Sequence, residues 1–124
     1  MFSSQDKLFM ERAIELAKES FDDGEVPVGA VIVQNETIIG EGKNKVIFEN
    51  DVTSHAEINA IRAASKKIKN YRLNDCSMYV TLEPCHMCAK AAVDARMSSV
   101  IFAASEPKTG SIISIDNFFD KKEL

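Results

Sequence analysis

The chain reads as an α/β protein, a three-layer α/β/α sandwich around one mixed sheet. Two observations predict it. Helical and strand periodicities alternate from end to end, in the order helix, hairpin, helix, strand, helix, strand. The last strand–helix–strand run reads as a right-handed crossover, which sets two strands parallel, whereas the hairpin sets its own pair antiparallel. At 124 residues, 45% of them apolar, the chain has the size and composition of one domain with one ordinary core. We therefore take 1–124 as a single domain.

Each element has its own signal. From about Gln5 to Phe21, the residues Met10, Ala13, Ile14, Ala17 and Phe21 recur at helical spacing. Ser3 or Ser4 can cap the start, and Asp22-Asp23-Gly24 ends the run. Val28 to Gln34 is rich in β-formers, Asn35-Glu36 supplies a turn, and Thr37 to Gly42 returns as its partner. A loop through Asn50 leads to a second helix over about His55 to Ile68, with Ile58, Ile61 and Ala64/Ser65 as its inward stripe. Ser77 to Leu82 is a third strand. Pro84 suits the first turn of a third helix, since it has no N–H to lose there, and that helix runs to about Ala95. Ser99 to Ala104 is a fourth strand. Beyond Gly110, Ile112, Ile113 and Ile115 fit a short strand or a helix start equally well.

Composition excludes several classes. No apolar run is long enough to span a bilayer, and Met1 to Lys7 lacks the apolar centre of a secretion signal. A cytoplasmic protein is expected. The net charge of −4 and a pI near 5.2 argue against a general nucleic-acid binder. Two local basic clusters, Lys66, Lys67, Lys69 and Arg72, and Lys43 with Lys45, read as solvated faces or as phosphate contacts. Of the three cysteines, Cys76 begins an apolar run and reads as a small core residue.

The other two cysteines carry chemistry. Cys85 and Cys88 lie three apart at a helix start, where free N–H groups and the helix dipole favour thiolate. His55 opens another helix and can supply a nitrogen. Three protein ligands with an open fourth position make a catalytic zinc site, whereas structural sites close with four. His86 points away from the ligand face of its helix and reads as a surface or supporting residue. Glu57, two residues from His55, has two readings. In Ser54-His55-Ala56-Glu57 it fits a helix capping box; beside a zinc ligand it fits a general base. A Cys-x-x-Cys pair alone also fits a redox dithiol or half a zinc ribbon, but a ribbon needs a second pair and a dithiol does not need His-x-Glu.

His55-Ala56-Glu57 followed by Pro84-Cys85-His86-Met87-Cys88 resembles the signature of the zinc-dependent cytidine/nucleobase deaminase superfamily. The flanking stretches Gly24-Glu25-Val26-Pro27-Val28-Gly29-Ala30, Asp51-Val52-Thr53-Ser54, Tyr71-Arg72-Leu73, Tyr79-Val80-Thr81-Leu82-Glu83 and Lys108-Thr109-Gly110 resemble its bacterial tRNA-specific adenosine deaminase branch. That resemblance implies a cytidine deaminase-like fold and one Zn2+ per subunit on His55, Cys85 and Cys88. It implies Glu57 as the catalytic proton carrier, and adenosine in the anticodon loop of tRNA as substrate. It further implies a homodimer, and substrate contacts from Asn44, Val28, Ala56, Pro84 and Glu106. Ala56 lets the base approach the metal and offers its N–H, whereas Val28 and Pro84 wall the pocket. Many relatives carry Pro at Val52 and Asp at Glu106, and they continue past Leu124 with a strand and an RNA-binding helix. The rival readings are a deaminase of free guanine, cytosine or a nucleoside, a zinc-stabilised binding module in which Glu57 is only a cap, and a thiol redox protein.

Overall fold

The computed structural model describes residues 3–104. Its elements are α1 (Ser4–Asp22), β1 (Gly29–Gln34), β2 (Thr37–Lys43), α2 (Val46–Glu49), α3 (Ala56–Ile68), β3 (Cys76–Leu82), α4 (His86–Asp94) and β4 (Ser99–Ala104). The strands form a four-stranded sheet in the order β2-β1-β3-β4. β1 pairs antiparallel with β2 and β3, and β3 pairs parallel with β4, so the sheet is mixed as expected.

The alternation of side chains along β1 and β3 makes two separate cores. Val31, Val33 and Tyr79 point to one face and meet Phe9, Met10, Ala13 and Leu16 of α1. Ala30, Ile32, Met78 and Val80 point to the other and meet Ala56, Ala60 and Ala64 of α3 with Ala92 after the middle of α4. Helices on both faces give the three layers. Cys76 is fully buried in the second core.

α1 begins with a reciprocal cap. The Ser3 hydroxyl accepts the Asp6 N–H at 3.1 Å, and the Asp6 carboxylate accepts the Ser3 N–H at 3.0 Å. Asp6 also accepts the Tyr79 hydroxyl at 2.6 Å, which ties the helix start to β3. The buried stripe of α1 is rotated from the expected one. Phe9, Leu16 and Ser20 are buried, whereas Ile14 and Phe21 are exposed. The stripe follows the small residues Ala13 and Ala17, which let α1 approach β1, and the large residues flank them.

The hairpin turn is as read. Asn35 and Glu36 both have positive φ, 50° and 63°, which suits a two-residue hairpin between twisted strands. A bulge follows: Ile32 pairs with Gly40 and Val33 with Ile38, leaving Ile39 between them.

Three readings need correction. The loop through Asn50 contains the short helix α2, too brief for a periodic signal. The inward stripe of α3 is Ala56, Ala60 and Ala64, with Ile58 and Ile61 only partly buried at its margin. Pro84 lies before α4, not in its first turn: Cys85 is the N-cap, with extended φ −72° and ψ 176°. The segment after Gly110 lies outside the described residues.

The α3 stripe exists because β2 offers no side chains there. A Cβ on Gly42 would lie 2.1 Å from the Ala56 carbonyl oxygen and 2.4 Å from the Ala60 nitrogen, and one on Gly40 would lie 2.5 Å from the Ala60 oxygen. Those neighbours are helix backbone and cannot rotate aside. Gly42→Ala is therefore expected to cost about 3 kcal/mol, the upper end of overpacking penalties, and to lower the thermal midpoint by about 10 °C. An unchanged midpoint would show that α3 does not lie this close.

Candidate active site

The site forms at one end of the sheet, where β2 and β3 finish and β1 begins. Two helices start there as well. His55 is the N-cap residue of α3 and Cys85 that of α4, and neither makes a side-chain cap. Their side chains are thus free to face each other across the sheet end. His55 Nδ1 lies 3.4 Å from Cys88 Sγ and 3.7 Å from Cys85 Sγ. All three donor atoms lie within 4.8 Å of one another. Tetrahedral zinc with its usual bond lengths needs N···S separations of about 3.6 Å. The observed pair brackets that value, so the donor set fits zinc.

The sulfurs show the same preference electrostatically. Cys85 takes the thiolate, its pKa lowered to about 5, first by a hydrogen bond from the Cys88 thiol, against a burial penalty, with help from the Cys88 N–H, His55 and the Met87 N–H. Cys88 is pushed well up by that same bond and by burial. One proton thus serves two sulfurs. A divalent cation replaces that proton and ionises both.

Glu57 is not part of a helix cap. Ser54 does not cap α3: its hydroxyl donates to the Glu49 carboxylate and accepts from Asn59 Nδ2 at 3.1 Å. The capping box is therefore absent. Glu57 is 4% exposed and faces the cysteines. Its pKa is raised to about 7, chiefly by burial; its own backbone N–H pulls it down and the Cys85 thiolate pushes it further up. A carboxyl near that value can both take and return a proton at neutral pH.

A cavity of about 350 Å³ opens over these groups. His55, Glu57 and Cys85 line it, with Val28 and Asn44. Ala56 and Pro84 are fully buried and stand behind the lining. The Ala56 N–H donates to Asn44 Oδ1 at 2.9 Å, so the donor left facing a ligand is the Asn44 amide nitrogen. Glu106 lies outside the described residues. His86 is exposed.

Sequence reading passed over Glu25, Glu83 and Leu82, which also line the cavity, with Val26, Val46 and Ile47. The available signal was an acidic residue inside each of two apolar stretches, Glu25 before Val26-Pro27-Val28 and Glu83 after Val80-Thr81-Leu82. Both acids are buried. The Glu25 carboxylate accepts the N–H groups of Ile47 at 3.1 Å and Phe48 at 2.9 Å, and so holds α2 at the cavity mouth.

The model of the cytidine and deoxycytidylate deaminase zinc-binding region matches residues 3–104. The chain is 50% identical over 123 residues to the tRNA-specific adenosine deaminase of Haemophilus influenzae, covering 98% of this chain and 71% of that protein. It is 41% identical over 121 residues to the tRNA-specific adenosine deaminase of Bacillus subtilis, covering 98% and 75%. A structure from studies of A-to-I editing by tRNA:A34 deaminases superposes with a TM-score of 0.90 at 40% identity, covering 94% of this chain and 89% of the other. The guanine deaminase of Bacillus subtilis superposes with a TM-score of 0.77 at 46% identity, covering 80% and 64%.

The Glu57 shift predicts how the metal-free protein responds to pH. Its folded carboxyl holds a proton up to about 7, whereas an unfolded chain releases it near 4.5. Between those values the folded state binds more protons, so this group's contribution to stability is present at pH 4 and lost as pH rises through 7. Glu57→Gln removes the penalty. In urea unfolding of zinc-stripped protein, the variant should exceed the parent by up to about 3 kcal/mol at pH 8 and match it near pH 4. A gap independent of pH would contradict a buried, proton-holding carboxyl.

Proposed function

We propose that this chain, which belongs to the cytidine and deoxycytidylate deaminase family, converts adenosine to inosine in the anticodon loop of tRNA by zinc-dependent hydrolysis. One observation carries the reading: a nitrogen and two sulfurs at zinc spacing meet at a cavity lined by His55, Cys85 and a buried carboxyl whose pKa is raised to about 7. The tRNA substrate rests on relatives of that activity which align with nearly the whole chain.

In this reading 1–124 is a single deaminase domain. His55 Nδ1, Cys85 Sγ and Cys88 Sγ hold one zinc per subunit. When bound, zinc supplies a Lewis acid that brings the pKa of a coordinated water toward about 7. Glu57 takes a proton from the attacking water and delivers it to the ring nitrogen beside the reacting carbon. The hydroxyl adds to that carbon; Glu57 then takes the remaining hydroxyl proton and passes it to the amino group, the C–N bond breaks and ammonia leaves, so adenosine and water become inosine and ammonia. Asn44, with its oxygen committed to the Ala56 N–H, offers its amide nitrogen to the base or its sugar. Val28 forms the wall against the base. Ala56 and Pro84 set the wall's position from behind, and Ala56 adds no bulk between base and metal. Glu106 is assigned a ribose contact.

An anticodon loop suits such a pocket because its bases leave their stack at lower cost than those of a duplex. The protein acts as a cytoplasmic homodimer in this reading. Among the described residues no helix is long and apolar enough to cross a membrane. The guanine deaminase likeness supports a second reading, deamination of a free base.

Zinc-loaded protein is to be incubated with an anticodon stem-loop, adenosine, guanine or cytosine, with ammonia and inosine measured. Inosine from the stem-loop alone is expected; turnover of a free base would move the assignment to the second reading. Glu57→Ala should lower kcat by about a hundredfold to ten-thousandfold while zinc content stays near one per subunit. Cys88→Ala should instead lose the metal, and chelation of the parent should abolish turnover that added zinc restores.

A further inference from the structure

Two segments bring the working groups together. Asn44 follows the last residue of β2, Lys43, and His55 ends the loop into α3. Hydrogen bonds hold these segments side by side. The Lys45 N–H donates to the Ser54 carbonyl at 3.0 Å, and the Ala56 N–H donates to Asn44 Oδ1 at 2.9 Å. A further tie comes from within α3. Asn59 Nδ2 donates to the Lys43 carbonyl at 2.9 Å and to the Ser54 hydroxyl at 3.1 Å. Lys43 precedes Asn44 and Ser54 precedes His55, so one amide nitrogen spans the neighbours of both groups.

The direction of these bonds is forced. A backbone carbonyl and a carboxylate can only accept. The fully buried Ser54 hydroxyl gives its one proton to the Glu49 carboxylate, and so presents a lone pair to Asn59. Lys43 presents its carbonyl from the other segment. Both acceptors need a donor, and the two hydrogens of one amide nitrogen meet them. A flipped amide would set its oxygen against two oxygens. Asn59 itself does not line the active-site cavity. It sits one turn after His55, where its own N–H donates to the His55 carbonyl at 3.0 Å. The side chain is thus built on the helix start that carries the imidazole, and it reaches to the strand that carries the Asn44 amide.

Resting on the functional reading above, we propose that Asn59 is a positioning residue: through Lys43 and Ser54 it fixes the distance between Asn44, which grips the substrate, and His55, which holds the metal. The substrate is placed from the end of β2, and the group that attacks it from the starts of α3 and α4. The reacting atoms meet only while those segments keep their spacing, and a misplacement of about 1 Å costs about a hundredfold in rate. Without the Asn59 amide, the Asn44–Ala56 and Lys45–Ser54 bonds still hold the segments together, so substrate binds but is misaligned.

The test measures kcat and KM on an anticodon stem-loop, with thermal midpoint and zinc content, for the parent, Asn59→Ala, Asn59→Asp, Ser54→Ala, the Ser54→Ala/Asn59→Ala double variant and Asp6→Ala. Asp6→Ala is the control for plain destabilisation, since it unties α1 from β3 on the opposite face of the sheet. Asn59→Ala should lower kcat by about tenfold to a hundredfold while KM stays within about twofold. Asn59→Asp keeps the shape but puts an oxygen where the donor was, and should lose at least as much. Ser54→Ala removes one of the two acceptors, and its loss should not multiply with that of Asn59→Ala. Asp6→Ala should lower the midpoint and leave kcat unchanged. The same proteins loaded with Co2+ give a second readout, because its visible ligand-field bands follow donor geometry. Those bands should shift in Asn59→Ala and Asn59→Asp and match the parent in Asp6→Ala. A lower midpoint with parent kcat and parent cobalt bands makes Asn59 a structural residue and overturns the proposal, as does an equal fall in kcat for Asp6→Ala. If the parent makes no inosine, the functional reading fails, and the cobalt bands then decide whether Asn59 places His55.

Discussion

The structure depends on the close approach of α3 to β2. Gly40 and Gly42 on the strand face Ala56, Ala60 and Ala64 on the helix, and all three alanines are fully buried. No larger side chain fits between the two backbones. This contact sets the depth at which α3 lies on the sheet. The Asn44 amide then sets its position along the axis, because it accepts the first helical N–H at 2.9 Å. Asn59 adds a second tie, donating to the Lys43 carbonyl at 2.9 Å. The end of α3 that these contacts hold carries both His55 and Glu57. A shift of about 1 Å there would exceed the tolerance of a tetrahedral donor set.

The site itself is a concentration of unfavourable terms. A carboxyl is buried until it holds its proton to about 7, and two sulfurs share a single proton. None of this helps the metal-free chain to fold. The frame tolerates it because apolar packing covers both faces of the sheet, and because the start of α4 supplies N–H groups to the Cys85 sulfur. A divalent cation suits a centre where one imidazole nitrogen and two sulfurs converge. The Glu25 contact with α2 extends the same economy outward: a buried acid is satisfied by backbone and, in return, fixes the cavity mouth.

Much of the fold was legible because each signal was local. The capping serine of α1, the paired left-handed residues at Asn35 and Glu36, and the apolar runs of β1, β3 and β4 depend only on near neighbours. The stripes failed where packing was governed by small residues. Hydrophobicity points to Ile58 and Ile61 as the inward face of α3, but it does not reveal that glycines on β2 invite alanines there. Ile14 and Phe21 failed in the same way on α1. Helix α2 was missed because four residues cannot show a period, and because its cap, Glu25, comes from a different part of the chain.

The sequence by itself determined the chemistry available: one imidazole, two thiols at a helix start, a carboxyl two residues from the imidazole, and an alternation of elements that permits a mixed sheet. Residue type and short spacing suffice for that, since both are properties of the covalent chain. Only the tertiary structure decided that Glu57 is no helix cap and that its carboxyl is buried beside the cysteines. That follows from where Ser54 spends its hydroxyl and from how completely α3 and α4 exclude water around the carboxyl. Ser54 reaches Glu49 only five residues back, but the contacts between α3 and α4 join residues 30 and 33 apart, and no local pattern encodes those.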